Sequence, residues 1–212
     1  MKKLYYLTLD TETATLPFVN ELALDSKARQ TISIAKPLVY DIGWTISDRN
    51  GNIIKRENYL IQETFFVPNI FNTAYYKDKR PQYMRLYSEG KIKAATWNEV
   101  IDILLADLDT VNFVTAYNAC FDFKKAIPFT ELYINNLYSA QFHSWLAMQE
   151  RICENIANGR THESRKEFES EVDKVYNKEM GMNVASAPIE RLAMNLTGKD
   201  GNKFDALLKY EK

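Results

Sequence analysis

Asp48-Arg49-Asn50-Gly51-Asn52 is the segment that most restricts what this chain can fold into. It lies between two β-rich runs, Leu38 to Ser47 and Ile53 to Ile61. Asn-Gly accepts positive φ, so the two runs read as strands closed by a tight hairpin turn. Upstream, Leu4 to Leu9 is also rich in β-formers and reads as a buried first strand. Residues 1–61 therefore predict an antiparallel meander opening a mixed sheet. The stretch between the first two strands, Thr13 to Ala35, has few clear periods and contains Pro17. It reads as a loop or insertion.

Further along, the pattern becomes α/β. Thr96 with Glu99 forms a capping box ahead of a helix whose apolar face is Val100, Ile101, Leu104, Leu105 and Leu108. Val111 to Tyr117 reads as another strand, followed by a turn and a helix beginning near Phe121. A long helix is predicted over Phe142 to Ile156, and Phe204 to Lys212 reads as a last short helix. Residues 160–178 are highly charged and read as a solvated helix face or an arm. The expected organisation is one domain over 1–212, with a divergent, charged C-terminal segment at 157–212.

Composition narrows the function classes. The 212 residues carry 27 basic and 28 acidic side chains, a net charge of −1, which argues against a histone-like coating protein. It leaves room for an enzyme that gathers acids around cations and needs only a local basic rim. Cys120 and Cys153 are too few for a disulfide framework and suggest a reducing, intracellular setting. Asp10 and Glu12 interrupt any signal-peptide core, and no apolar stretch approaches the roughly 20 residues that span a bilayer.

The candidate chemistry lies in two acidic motifs. Asp10 and Glu12 follow the first β-rich run two residues apart, so on a strand they point to one face, with Leu9 and Thr11 facing the other way. Two carboxylates held together near a core need compensation, and a hard divalent cation supplies it. Ala116-Tyr117-Asn118-Ala119-Cys120-Phe121-Asp122 places a third carboxylate after a buried strand. The plain alternative for Asp122 is an acid favouring a helix N-terminus. Asn118 suits either the site or the turn, and Phe121 either a substrate contact or the core.

Taken in order, Leu7-Thr8-Leu9-Asp10-Thr11-Glu12-Thr13, the Asp41-Ile42-Gly43-Trp44 strand, the Trp97 helix and Tyr117-Asn118-Ala119-Cys120-Phe121-Asp122 resemble the DEDD exonuclease superfamily. That superfamily includes proofreading exonucleases of the polymerase III epsilon type and phage enzymes, and the resemblance covers residues 4–127. It implies a ribonuclease-H-like mixed sheet flanked by helices and two-metal 3′–5′ hydrolysis of DNA or RNA with Mg²⁺ or Mn²⁺. Asp10, Glu12 and Asp122 would be the ligands, and Thr11, Asn118 and Phe121 substrate-side residues. The implied partners are a single-stranded 3′ end and a polymerase or replication protein, in bacterial or phage-infected cytoplasm.

The third motif of the family, with a His or Tyr followed by Asp, departs from the pattern. His143 is followed five positions on by Met148, and His162 by Glu167. In the tail, Phe204-Asp205-Ala206-Leu207-Leu208-Lys209 aligns with Phe204 for His and Lys209 for Asp, leaving Asp205 as the candidate fourth acid. The competing expectation is a module that binds single strands or a replication partner without turnover. Residues 75–93 interleave Tyr75, Tyr76, Tyr83 and Tyr87 with six basic residues, a pattern suited to guiding single-stranded nucleic acid or to packing on the core with wet hydroxyls.

Overall fold

The computed structural model describes residues 4–159 and the backbone of residues 208–209. Its centre is an open mixed sheet with β1 (Tyr5–Ala14), β2 (Leu38–Asp48), β3 (Ile53–Ile61), β4 (Lys93–Ala95) and β5 (Phe113–Ala116). A two-residue strand, β6 (Leu208–Lys209), lies at its edge, giving the order β4-β3-β2-β1-β5-β6. β1 runs antiparallel to β2 and parallel to β5, and β2 runs antiparallel to β3.

The hairpin forms as its residues dictate. Gly51 adopts φ +82°, and the Asp48 carboxylate accepts from the backbone N–H groups of Asn50 and Asn52. β1 runs further than the β-rich stretch predicts, continuing through Asp10, Thr11 and Glu12 to Ala14. Its alternation buries Leu7, Leu9 and Thr11 and turns Thr8, Asp10 and Glu12 to the opposite face.

The helices are α1 (Ser26–Ala35), α2 (Gln62–Phe65), α3 (Pro68–Phe71), α4 (Arg80–Ser88), α5 (Trp97–Leu108), α6 (Ala119–Phe121), α7 (Ile127–Asn135) and α8 (Ala140–Ala157). A π-helical stretch, Asp122–Ala126, joins α6 to α7. Leu7 and Leu9 share one buried cluster with Ile42, Trp44, Trp97, Val100 and Leu104. Ala14 and Leu60 belong to a second, with Ile32, Phe65, Phe71, Phe142 and Trp145. The central strands are thus packed on both faces over much of their length, while Thr8 and Asp10 on β1 and Ile53, Ile54 and Arg56 on β3 are exposed.

Two expectations are corrected. The 13–35 stretch is not a loop: it completes β1 and then forms α1, where Asp25 caps the helix by accepting from Ala28 N–H at 2.6 Å. Ala28 and Ile32, one turn apart, bury its narrow apolar side. At the other end, Leu208 and Lys209 are strand, not helix, pairing antiparallel with Val114 and Phe113. The edge of β5 offers unpaired backbone groups, and pairing them outweighs the local helical pattern. The Thr96–Glu99 capping box forms as expected, with both reciprocal bonds present. No helix among the described residues is long and apolar enough to cross a membrane.

Candidate active site

β1 carries the site. Asp10 is exposed and Glu12 half-buried, on the same face as the period-two reading requires. Burial raises the Asp10 pKa, opposed by a hydrogen bond from the Thr11 backbone. Burial also raises the Glu12 pKa, helped by the negative charges of Asp10 and Asp41 and opposed by Lys79. Both carboxylates therefore sit where a cation would be favoured.

Asp122 reaches the same strand from the other side. β5 stops at Ala116, opposite Leu9, so β1 beyond that point has no neighbour on this edge from β5. The chain after β5 turns through Asn118, whose carbonyl accepts from the N–H groups of Phe121 and Asp122. This brings the buried Asp122 carboxylate to Thr11, whose hydroxyl donates to Oδ1 at 2.5 Å. Burial pushes Asp122 up to about 6; the Thr11 hydrogen bond pulls it down and the charge of Asp10 pushes it up. Thr11 is therefore a support for Asp122, and its side chain faces away from Asp10 and Glu12.

Of the other sequence candidates, Asn118 supplies the turn with its backbone, and Phe121 packs part-buried against the core. Phe123 is fully in that core. Cys120 is exposed and unbridged. His143 is exposed on α8. Asp205, His162 and Glu167 lie outside the described residues. Among the described residues, no three His, Cys, Asp or Glu side chains already converge as a metal cage.

The structure adds a fourth carboxylate that the motif pattern does not single out. Glu12 pairs with Asp41 across β1 and β2, while the next residue, Thr13, pairs with Val39. β2 therefore carries one extra residue, Tyr40, at this point, a bulge of the kind that re-aims side chains beside functional sites. Burial pushes Asp41 up to about 6, moderated by hydrogen bonds from Asn58 and Tyr83 and reinforced by the charge of Asp10. The Asn58 amide donates to Asp41 at 2.7 Å. Tyr83, from the aromatic and basic 75–93 segment, sits on α4; burial and the nearby Asp41 charge raise its own pKa.

Asp10, Glu12 and Asp41 line a cavity of about 580 Å³. Gly43, Thr45, Arg56, Asn58, Tyr83 and Lys91 complete much of its wall. Asp41 is set opposite Glu12 by the β1–β2 register, which runs unbroken from Tyr5–Asp48 to this pair and shifts just beyond it. Compared with known proteins, the chain matches no family model, no curated protein and no solved structure.

The donor chemistry fits a hard divalent ion. Asp10, Glu12, Asp41 and Asp122 are carboxylates whose pKa values are all raised, and the charge of Asp10 contributes to the shift in each of the other three. Oxygen donors under mutual repulsion favour Mg²⁺ or Mn²⁺ over softer metals.

Proposed function

We propose that this protein is a metal-dependent 3′–5′ exonuclease acting on single-stranded DNA or RNA. The observation that carries the reading is the placement of three acids along one short stretch of β1, two on its cavity side and one on Thr11. Asp10 and Glu12 face an open cavity, and Thr11 between them holds Asp122, which arrives from a sequence motif about 110 residues away. A sheet with an antiparallel β1–β3 meander, β1 in the interior and a parallel β5 beside it, supports a ribonuclease-H-like assignment.

In this reading Asp10 and Glu12 would hold divalent ions at the cavity, and Asp122, held by Thr11, would contribute from the β5 side. When bound, such ions supply an activated water and neutralise charge on the leaving oxygen. The chain's own residues do the rest. Thr11 orients Asp122 through its hydroxyl. Asn58 and Tyr83 hold Asp41 beside Glu12, so a mostly ionised carboxylate with a pKa raised to about 6 stands near the reacting end at neutral pH. In this reading Asp41 takes the role that the departure from the third motif leaves open, as an acceptor for the proton of an attacking water.

The second reading, a binding module without turnover, is favoured by one feature: neither His143 nor His162 has Asp five positions on. A gel assay separates the two. Shortening of a labelled strand that needs Mg²⁺ or Mn²⁺ supports the enzyme. Retarded but intact strand, with salt-sensitive affinity, supports the module.

A further inference from the structure

The cavity beside Asp10 is electrostatically divided. Its β1 and β2 side carries Asp10, Glu12 and Asp41, and its β3 and α4–β4 side carries Arg56, Lys91 and Lys93 against a single acid, Glu57. The three cations are not equivalent. Lys93 is neutralised by Glu57 at 2.8 Å. Lys91 pairs with Glu89 at 2.7 Å, but that pair is exposed, and such pairs exchange readily for another anion. Arg56 is exposed and makes no ion pair among the described residues.

The floor between the two sides is open for a definite reason. Asp10, Gly43 and Asn58 form one row across β1, β2 and β3. Gly43 is not among the glycines with positive φ, so its backbone does not require glycine. What it provides is room, because a Cβ there would lie 3.1 Å from Asn58 Nδ2 and 3.4 Å from the Glu57 carbonyl. A side chain at this position would fill the passage from Asp10 to Arg56 and crowd the amide that holds Asp41.

A polyanionic strand cannot approach along carboxylates. It needs its phosphates on the cationic side while its end reaches Asp10. We infer that the substrate strand enters across β3, with a backbone phosphate held by Arg56 and Lys91 and the sugar of that nucleotide seated over Gly43. This rests on the exonuclease reading and adds to it the path of the strand and the residues that grip it. Phosphate contacts of this kind position the chain and carry no sequence information, so the grip is sequence-independent.

The test is fluorescence anisotropy with a 5′-labelled oligothymidylate in EDTA, between 50 and 200 mM salt, on wild type, Arg56→Gln/Lys91→Gln and Lys124→Gln. Lys124 is an exposed cation on the Asp122 side and lies outside the cavity. The double variant is expected to bind on the order of tenfold more weakly near 100 mM salt. Its salt slope should be shallower by about 1.4, from about 0.7 for each lost phosphate contact on a single strand. Lys124→Gln should match wild type. Unchanged affinity and slope in the double variant, or a larger loss in Lys124→Gln, overturns the inference. A parallel Mg²⁺ cleavage assay keeps the two proposals apart. Metal-dependent cleavage by wild type with full binding by Arg56→Gln/Lys91→Gln refutes only the strand path. A wild type that neither binds nor cleaves single strands refutes both.

Discussion

Replacing Asp122 by Asn should make the metal-free protein more stable at neutral pH while removing a carboxylate assigned to the proposed metal site. The carboxyl is 2% exposed, and its pKa stands at about 6 instead of the ordinary 3.8. A carboxyl raised in the folded state favours folding below the unfolded value, and that advantage is lost as pH rises through the folded value. At pH 7.5 the folded protein therefore holds a charge that burial disfavours by roughly 3 kcal/mol, at 1.36 kcal/mol for each pH unit of displacement. Asn is nearly isosteric, stays neutral, and its carbonyl oxygen can still accept from the Thr11 hydroxyl. Urea unfolding in EDTA should show Asp122→Asn more stable than wild type by up to roughly 3 kcal/mol at pH 7.5. The same linkage narrows the gap to about 1 kcal/mol at pH 4.5. A variant no more stable than wild type at pH 7.5, or a gap that does not change with pH, would show that burial does not hold the Asp122 carboxyl above its ordinary range.

Two further perturbations test other parts of the account. Asp107 accepts from Trp44 Nε1 at 2.7 Å and from Lys55 at 2.7 Å, tying α5 to β2 and β3. Asp107→Ala would leave the buried indole N–H without its acceptor and should cost about 2–3 kcal/mol in urea unfolding, whereas a loss below about 0.5 kcal/mol would show that the tie contributes little. Tyr83→Phe removes a hydrogen bond that lowers the Asp41 pKa, so that carboxyl should titrate above its present value of about 6 when followed by carboxyl NMR. An unchanged or lower value would mean that Tyr83 does not hold Asp41.

Much of the scaffold was legible because local chemistry specified it. Asn50-Gly51 closed the hairpin by its φ preference, and Thr96 with Glu99 opened α5 by reciprocal capping. The same-face placement of Asp10 and Glu12 followed from strand geometry alone. What escaped depended on distant residues. Asp41 stands opposite Glu12 because of the β1–β2 register, which joins strands whose sequences lie some thirty residues apart. Tyr83 reaches Asp41 from a helix some forty residues later. The strand pairing of Leu208 and Lys209 depends on the edge of β5, which no pattern within Phe204 to Lys212 could reveal. α1 was missed because its apolar side is narrow and its start depends on a single cap, Asp25. The family resemblance implies a substrate-side role for Thr11, whereas its buried hydroxyl turns to Asp122.

Under the proposed function, Asp10 directs hydrolysis from a free 3′ end. Its most direct test is a Mg²⁺ time course comparing a 5′-labelled linear single strand with a circular strand of the same sequence, using wild type and Asp10→Ala. The account predicts a ladder of progressively shorter 5′-labelled products from the linear strand, an intact circle, and no products from Asp10→Ala. Cleavage of the circle, or persistence of the ladder in Asp10→Ala, would contradict it.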